Sequence, residues 1–308
     1  MSLHPEAQRF IELTSKAPDL DTRTPAENRI ASEATRYLMG EKTPVALVHD
    51  VLVKGVPVRI YNPRPNASSL PVFIYFHGGG WVLGDLESVD STVRDIAVAS
   101  GALCISVDYR RAPEHPFPAA LDDCQVVTEA VLKGELTSAN QRLVAVGGDS
   151  AGGNMAAVIA QQLRDQITHQ VLVYPVMDLS TFGTQSHEKY ATGHFLTRRR
   201  LEYFYDSYAQ GHDRKDPKLS PGLNTDLSNL PPATIITAEC DPLVDEVTEY
   251  AHAMQHAGNT VTQVQFNGQV HPFMQMSSII SDALVARRFI GGELAEAFRG
   301  KPHHVHKG

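Results

Sequence analysis

An α/β fold is predicted for this chain: one mixed, mostly parallel sheet flanked by helices on both sides. Three observations carry the prediction. Short apolar runs recur along the chain, and helical patterns lie between most of them. Most of the runs are predominantly apolar, as expected of strands covered on both faces. At 308 residues the chain is long enough to bury a substantial core around such a sheet.

Residues 1–43 read as helical, with Phe10-Ile11-Glu12-Leu13 and Arg29-Ile30-Ala31 in amphipathic patterns and Pro18 and Pro25 as breaks. Residues 45–53 and 56–61 flank Lys54-Gly55 and predict a β-hairpin. Further strands are expected at 72–76, 102–107, 142–146, 170–174, 233–237 and 261–266. Helices are expected at 93–100, 118–133, 154–164 and 242–257. From Asp178 to about Asn229 no strand pattern appears, which reads as an insertion over the carboxyl edge of the sheet. It holds Arg198-Arg199-Arg200, read as a solvated face, and an aromatic helix with Tyr203, Phe204, Tyr205 and Tyr208.

A formal net charge of −8 argues against a nucleic-acid partner, whose phosphates need clustered cations. No apolar run reaches the length of a membrane-spanning helix, and no basic-then-apolar leader opens the chain, so no membrane partner is expected. Cys104, Cys124 and Cys240 are odd in number and lack metal-ligand spacing. Free buried thiols in a reducing compartment follow, hence a cytoplasmic location. The sequence is compatible with a homodimer.

Gly148-Asp149-Ser150-Ala151-Gly152 fits G-x-S-x-G between an expected strand and an expected helix. A strand that turns sharply into a helix holds its serine in a strained backbone with the hydroxyl presented, and bulky neighbours would clash there. The helix N-terminus adds free amides for a developing anion. Ser150 is the candidate nucleophile. His77-Gly78-Gly79-Gly80-Trp81 follows the strand at 72–76. Three consecutive glycines lose much backbone entropy on folding, so they mark a place where amides must point outward. Gly78 and Gly79, joined by the amide of Ala151, form the candidate oxyanion hole. His77 is read as orienting the loop by hydrogen bonding.

Such a nucleophile needs a base and an acid, expected later in the chain in the order acid then histidine. Glu239, Asp241 and Asp245 follow the strand at 233–237. His252 and His256 share a helix face four residues apart and read as surface groups. His271 lies in a loop at 267–273, from which a mobile imidazole could reach Ser150. The ends of these strands share the sheet edge where open α/β sheets place their ligands.

These motifs resemble those of the bacterial hormone-sensitive-lipase-like (family IV) carboxylesterases of the α/β-hydrolase fold. The run from Gly148 to Asn154 matches that family's elbow in full. Residues 108–119 and 241–246 are similar to its stretches after the fourth strand and around the catalytic acid. The resemblance covers roughly residues 45–290 and selects Asp241 as the acid, giving a Ser150–His271–Asp241 triad. Pro272 and Val244 depart from the glycine and arginine common at those places. The resemblance implies N-terminal cap helices at 1–43 and a catalytic domain at 44–300 with a cap insertion at about 178–229. Residues 301–308 are left as a His-rich tail. It also implies an enzyme that cleaves short-chain esters of small molecules through an acyl-enzyme, without metal or organic cofactor. Trp81, Tyr203, Phe204 and Tyr208 are the candidate substrate-binding residues. The same groups would cleave amides, so a serine amidase or peptidase is the alternative. A non-catalytic receptor of this fold would lack the histidine that is present here.

Overall fold

The computed structural model describes residues 2–136 and 138–300, so the His-rich tail lies outside the described residues. Lys54 and Gly55 both take positive φ, 53° and 87°. That primed-turn geometry matches strand twist, and it folds β1 (Leu47–Val53) back on β2 (Val56–Asn62) with Val53 opposite Val56. β2 lies antiparallel to β4 (Leu103–Val107). β4, β3 (Leu70–Phe76), β5 (Ala139–Asp149), β6 (His169–Val173), β7 (Ala233–Cys240) and β8 (Val261–Val270) are parallel neighbours. The result is an eight-stranded mixed sheet in the order β1-β2-β4-β3-β5-β6-β7-β8.

Alternate residues of the central strands feed two cores. Val72, Ile74 and Phe76 pack with α4 (Ala119–Leu132), α5 (Ala151–Gln162) and α8 (Val244–His256). Phe73 and Tyr75 pack with α3 (Leu86–Ser100) and α9 (Asp282–Arg299). Ahead of the sheet lie α1 (Pro5–Thr14) and α2 (Pro25–Glu33). Between β6 and β7 lie α6 (Gln185–Lys189) and α7 (Arg198–Ala209), with no strand.

Several elements differ from expectation. Pro25 starts a helix instead of breaking one: it is the first residue of α2, and Thr24 and Glu27 form a reciprocal capping box ahead of it. β5 runs on to Asp149, which pairs with Val173 of β6, and β8 runs on past an irregularity after Phe266 to Val270, which pairs with Cys240 of β7. α9 was not anticipated. Its buried stripe of Ala283, Ala286, Ile290, Leu294 and Phe298 is diluted by small and charged residues. All three cysteines are buried free thiols. Among the described residues no helix is long and apolar enough to cross a membrane.

Candidate active site

β5 ends at Asp149 and α5 begins at Ala151, so Ser150 alone makes the turn, with φ 55° and ψ −119°. That strained conformation is held from outside: the Ser150 amide donates to Val173 O at 2.9 Å. The flanking glycines are required by space. A Cβ on Gly148 or Gly152 would run into the carbonyl of Phe76.

The turn presents Ser150 Oγ 2.9 Å from His271 Nε2, and His271 Nδ1 lies 2.8 Å from Asp241 Oδ2. The second carboxylate oxygen accepts the Leu243 amide at 3.0 Å. A hydrogen on Nδ1 shared with the carboxylate leaves Nε2 as the acceptor facing Ser150; this tautomer is assigned from the network. Asp241 and His271 are buried, and Ser150 is 8% exposed. Because β8 continues to Val270, His271 follows a strand directly and is not on a mobile loop. The Tyr174 ring packs against its imidazole with centroids 4.4 Å apart. The rival acids are engaged elsewhere: Glu239 accepts the Gly268 amide and Asp245 the Ser186 amide, each at 2.7 Å. His252 and His256 lie exposed on α8.

The glycine loop requires a correction. Gly78, an expected oxyanion donor, has its N–H committed to Asp149 Oδ1 at 3.0 Å. The amides of Gly79 and Gly80 have no protein acceptor among the described residues, and both glycines line the cavity beside Ser150. Their φ values of 112° and 60° suit glycine. The Ala151 amide, at the start of α5, is likewise free. His77 is fully buried. Its Nδ1 lies 2.8 Å from Gly78 O and 3.1 Å from the Tyr109 hydroxyl, which donates to His77 O at 2.7 Å. Burial pushes its pKa down to about 4, so the ring stands neutral and ties the loop to β4's outgoing turn.

Ser150 and His271 open into a cavity of about 290 Å³. Phe10 and Leu13 of α1, Ala31 of α2, and Leu201 and Phe204 of α7 help to close it. Of the four expected lining residues, Trp81 and Phe204 border the cavity; Tyr203 and Tyr208 do not. Tyr208 sits one turn beyond Phe204 and stacks flat on Trp81, with centroids 4.4 Å apart. Tyr203 lies off that face, its hydroxyl accepting from Asn28 Nδ2 at 3.4 Å. Tyr205, Phe195 and Arg200 also line the cavity, and none of them was among the expected substrate-binding residues. Helical phase from Leu201 puts Phe204 (i+3) and Tyr205 (i+4) on its face, which could have flagged Tyr205 beside Phe204.

The sequence profile of the α/β-hydrolase fold family matches residues 73–275. The chain is 34% identical over 304 residues to ethyl acetate hydrolase of Pseudomonas putida, covering 92% of this chain and 95% of that protein. This chain belongs to the hormone-sensitive-lipase-like carboxylesterases. The esterase is also 40% identical over 266 residues to carboxylesterase NlhH of Mycobacterium tuberculosis, covering 80% of this chain and 82% of that one. Its fold matches a solved ester hydrolase from the metagenome of Lake Arreo with TM-score 0.92 at 36% identity, over 97% of this chain and 100% of the other. It is a carboxylic ester hydrolase with the α/β-hydrolase fold.

Proposed function

We propose that the esterase cleaves short-chain acyl esters through an acyl-enzyme on Ser150. The observation that carries this reading is the unbroken hydrogen-bond chain Ser150–His271–Asp241, at 2.9 and 2.8 Å. His271 takes the Ser150 proton as Oγ attacks the ester carbonyl, then passes it to the departing alkoxide. Asp241 holds the imidazole tautomer and stabilises the imidazolium. The amides of Gly79, Gly80 and Ala151 receive the oxyanion, Gly80 replacing Gly78 in that role. Loss of one such donor raises the barrier by about 3 kcal/mol. Water activated by His271 then releases the acid.

α1, α2 and α7 act as the cap, since their side chains close the cavity over Ser150. A volume of about 290 Å³ with aromatic walls favours short acyl chains. Three buried free thiols suit a reducing, cytoplasmic setting. Hydrolysis of p-nitrophenyl esters from acetate to laurate by the wild type and Ser150→Ala tests the reading. Activity concentrated on the short esters and abolished in the variant is expected. Undiminished turnover by Ser150→Ala would refute it.

A further inference from the structure

α7 opens with Arg198, Arg199 and Arg200, three cations in the first turn of a helix, where the positive end of the macrodipole disfavours them. Two are neutralised. Arg198 pairs with Glu202 at 2.9 Å, and Arg199 with Asp21 at 2.9 Å and with Asp19. Arg200 has no carboxylate within salt-bridge distance among the described residues. Its Nη1 donates to Phe195 O at 2.9 Å, and its guanidinium lies over the Phe195 ring, 4.5 Å from the centroid. Both residues line the cavity that holds Ser150. Asp19 is near enough to favour the charge but is held by Arg199. Burial pulls the Arg200 pKa below its ordinary value, the sign of a poorly hydrated cation.

Arg23, in the turn before α2, lines the same cavity; it has no carboxylate within salt-bridge distance among the described residues, although its charge reaches the exposed Glu27 carboxylate. The carboxylate in the lining, Asp149, is buried, already accepts from Tyr75 and Gly78, and has its pKa pushed up by burial. In a chain of net charge −8, the catalytic cavity therefore presents two guanidinium groups that form no salt bridge with a described carboxylate, in a largely apolar wall.

We propose that Arg200, assisted by Arg23, docks a carboxylate of the substrate, so that the preferred substrates are short esters bearing a free carboxylate away from the scissile bond. Monoesters of short dicarboxylic acids are that class. The planar guanidinium fork matches a carboxylate in two hydrogen bonds, and low local polarity strengthens the pair. The Phe195 stack holds the fork in place. The inference rests on Ser150 as the nucleophile.

The test compares kcat/KM for monoethyl succinate, glutarate and adipate with that for neutral ethyl pentanoate, in wild type, Arg200→Gln, Arg200→Lys and Arg23→Gln. Arg200→Gln is expected to lower the charged-to-neutral ratio by about tenfold or more, mainly through KM of the monoester. Arg200→Lys should recover part of the ratio. Arg23→Gln, outside α7, should lower it to a lesser degree even if α7 variants fold poorly. A ratio within about twofold of wild type in both glutamine variants, with the neutral ester still cleaved, would overturn the carboxylate site alone. Failure of wild type to cleave either kind of ester would instead overturn the Ser150 reading beneath it.

Discussion

Asp149 Oδ1 accepts the Gly78 amide at 3.0 Å and the Tyr75 hydroxyl at 2.7 Å. The side chain just before Ser150 thus fixes the glycine loop relative to Ser150. Asp149→Ala should lower kcat about 10- to 100-fold with little change in KM, because a displaced donor is lost chiefly in the transition state. Gly78→Ala should do similar damage, since its Cβ would run into the Asp149 carboxylate. Steady-state kinetics on p-nitrophenyl butyrate reads both; wild-type kcat in Asp149→Ala would show that the loop holds itself.

Phe204 packs over Gly80, where an added Cβ would collide with its ring, and it borders the cavity. Phe204→Ala should raise the ratio of octanoate to butyrate kcat/KM by about tenfold, since an added methylene in an apolar pocket is worth about 1–3 kcal/mol. The same change should lower stability by about 3–5 kcal/mol. An unchanged chain-length ratio would remove Phe204 as the wall that limits acyl length.

Arg287 is fully buried, with Nη1 on Asp95 Oδ2 at 2.9 Å and its other nitrogens on Met274 O at 3.0 Å and Gln275 O at 3.2 Å. It braces the turn that follows His271. Arg287→Met leaves the Asp95 charge unpaired and should cost about 3–5 kcal/mol of stability. Adding Asp95→Asn should recover part of that loss, and urea unfolding of the two single variants and the double variant measures the coupling.

Burial holds both His77 and His169 at a pKa of about 4, below the ordinary histidine value of 6.5. Between those values the unfolded state binds more protons. Their contribution is therefore present above pH 6.5 and is lost as pH falls toward 4. Each contributes on the order of 3 kcal/mol. Buried Asp149 and Glu246, whose pKa values burial raises, oppose this trend, so the comparison must be between variants. His169→Gln, away from Ser150, should lose less stability than wild type between pH 7 and pH 4.5 in urea titrations. Parallel curves would contradict this.

The central strands were legible as short, mostly apolar runs, the outer β1 and β8 by alternation or by their hairpin turn, and the elbow because only small residues fit beside Ser150. Chain order placed three candidate acids and His271 at one sheet edge, the family resemblance chose Asp241 among the acids, and the structure brings Asp241 and His271 within hydrogen-bond distance. What escaped depends on tertiary contacts or helical phase. Gly78 looks like its neighbours until Asp149 is seen to take its amide. Tyr208 and Phe204 share a face of α7, but only Phe204 reaches the cavity. A solvated face describes Arg198 and Arg199, which are more than half exposed in their side chains. It fails for Arg200, which turns inward onto Phe195.

The most direct test of Ser150 as nucleophile is covalent trapping. The protein is labelled with a p-nitrophenyl alkylphosphonate and examined by intact-mass measurement and peptide mapping, with hydrolysis followed in parallel. One adduct per chain is expected, on the peptide containing Ser150, with activity falling in proportion and no labelling of Ser150→Ala. An adduct on a different residue, or full hydrolysis by the completely labelled protein, would contradict the mechanism.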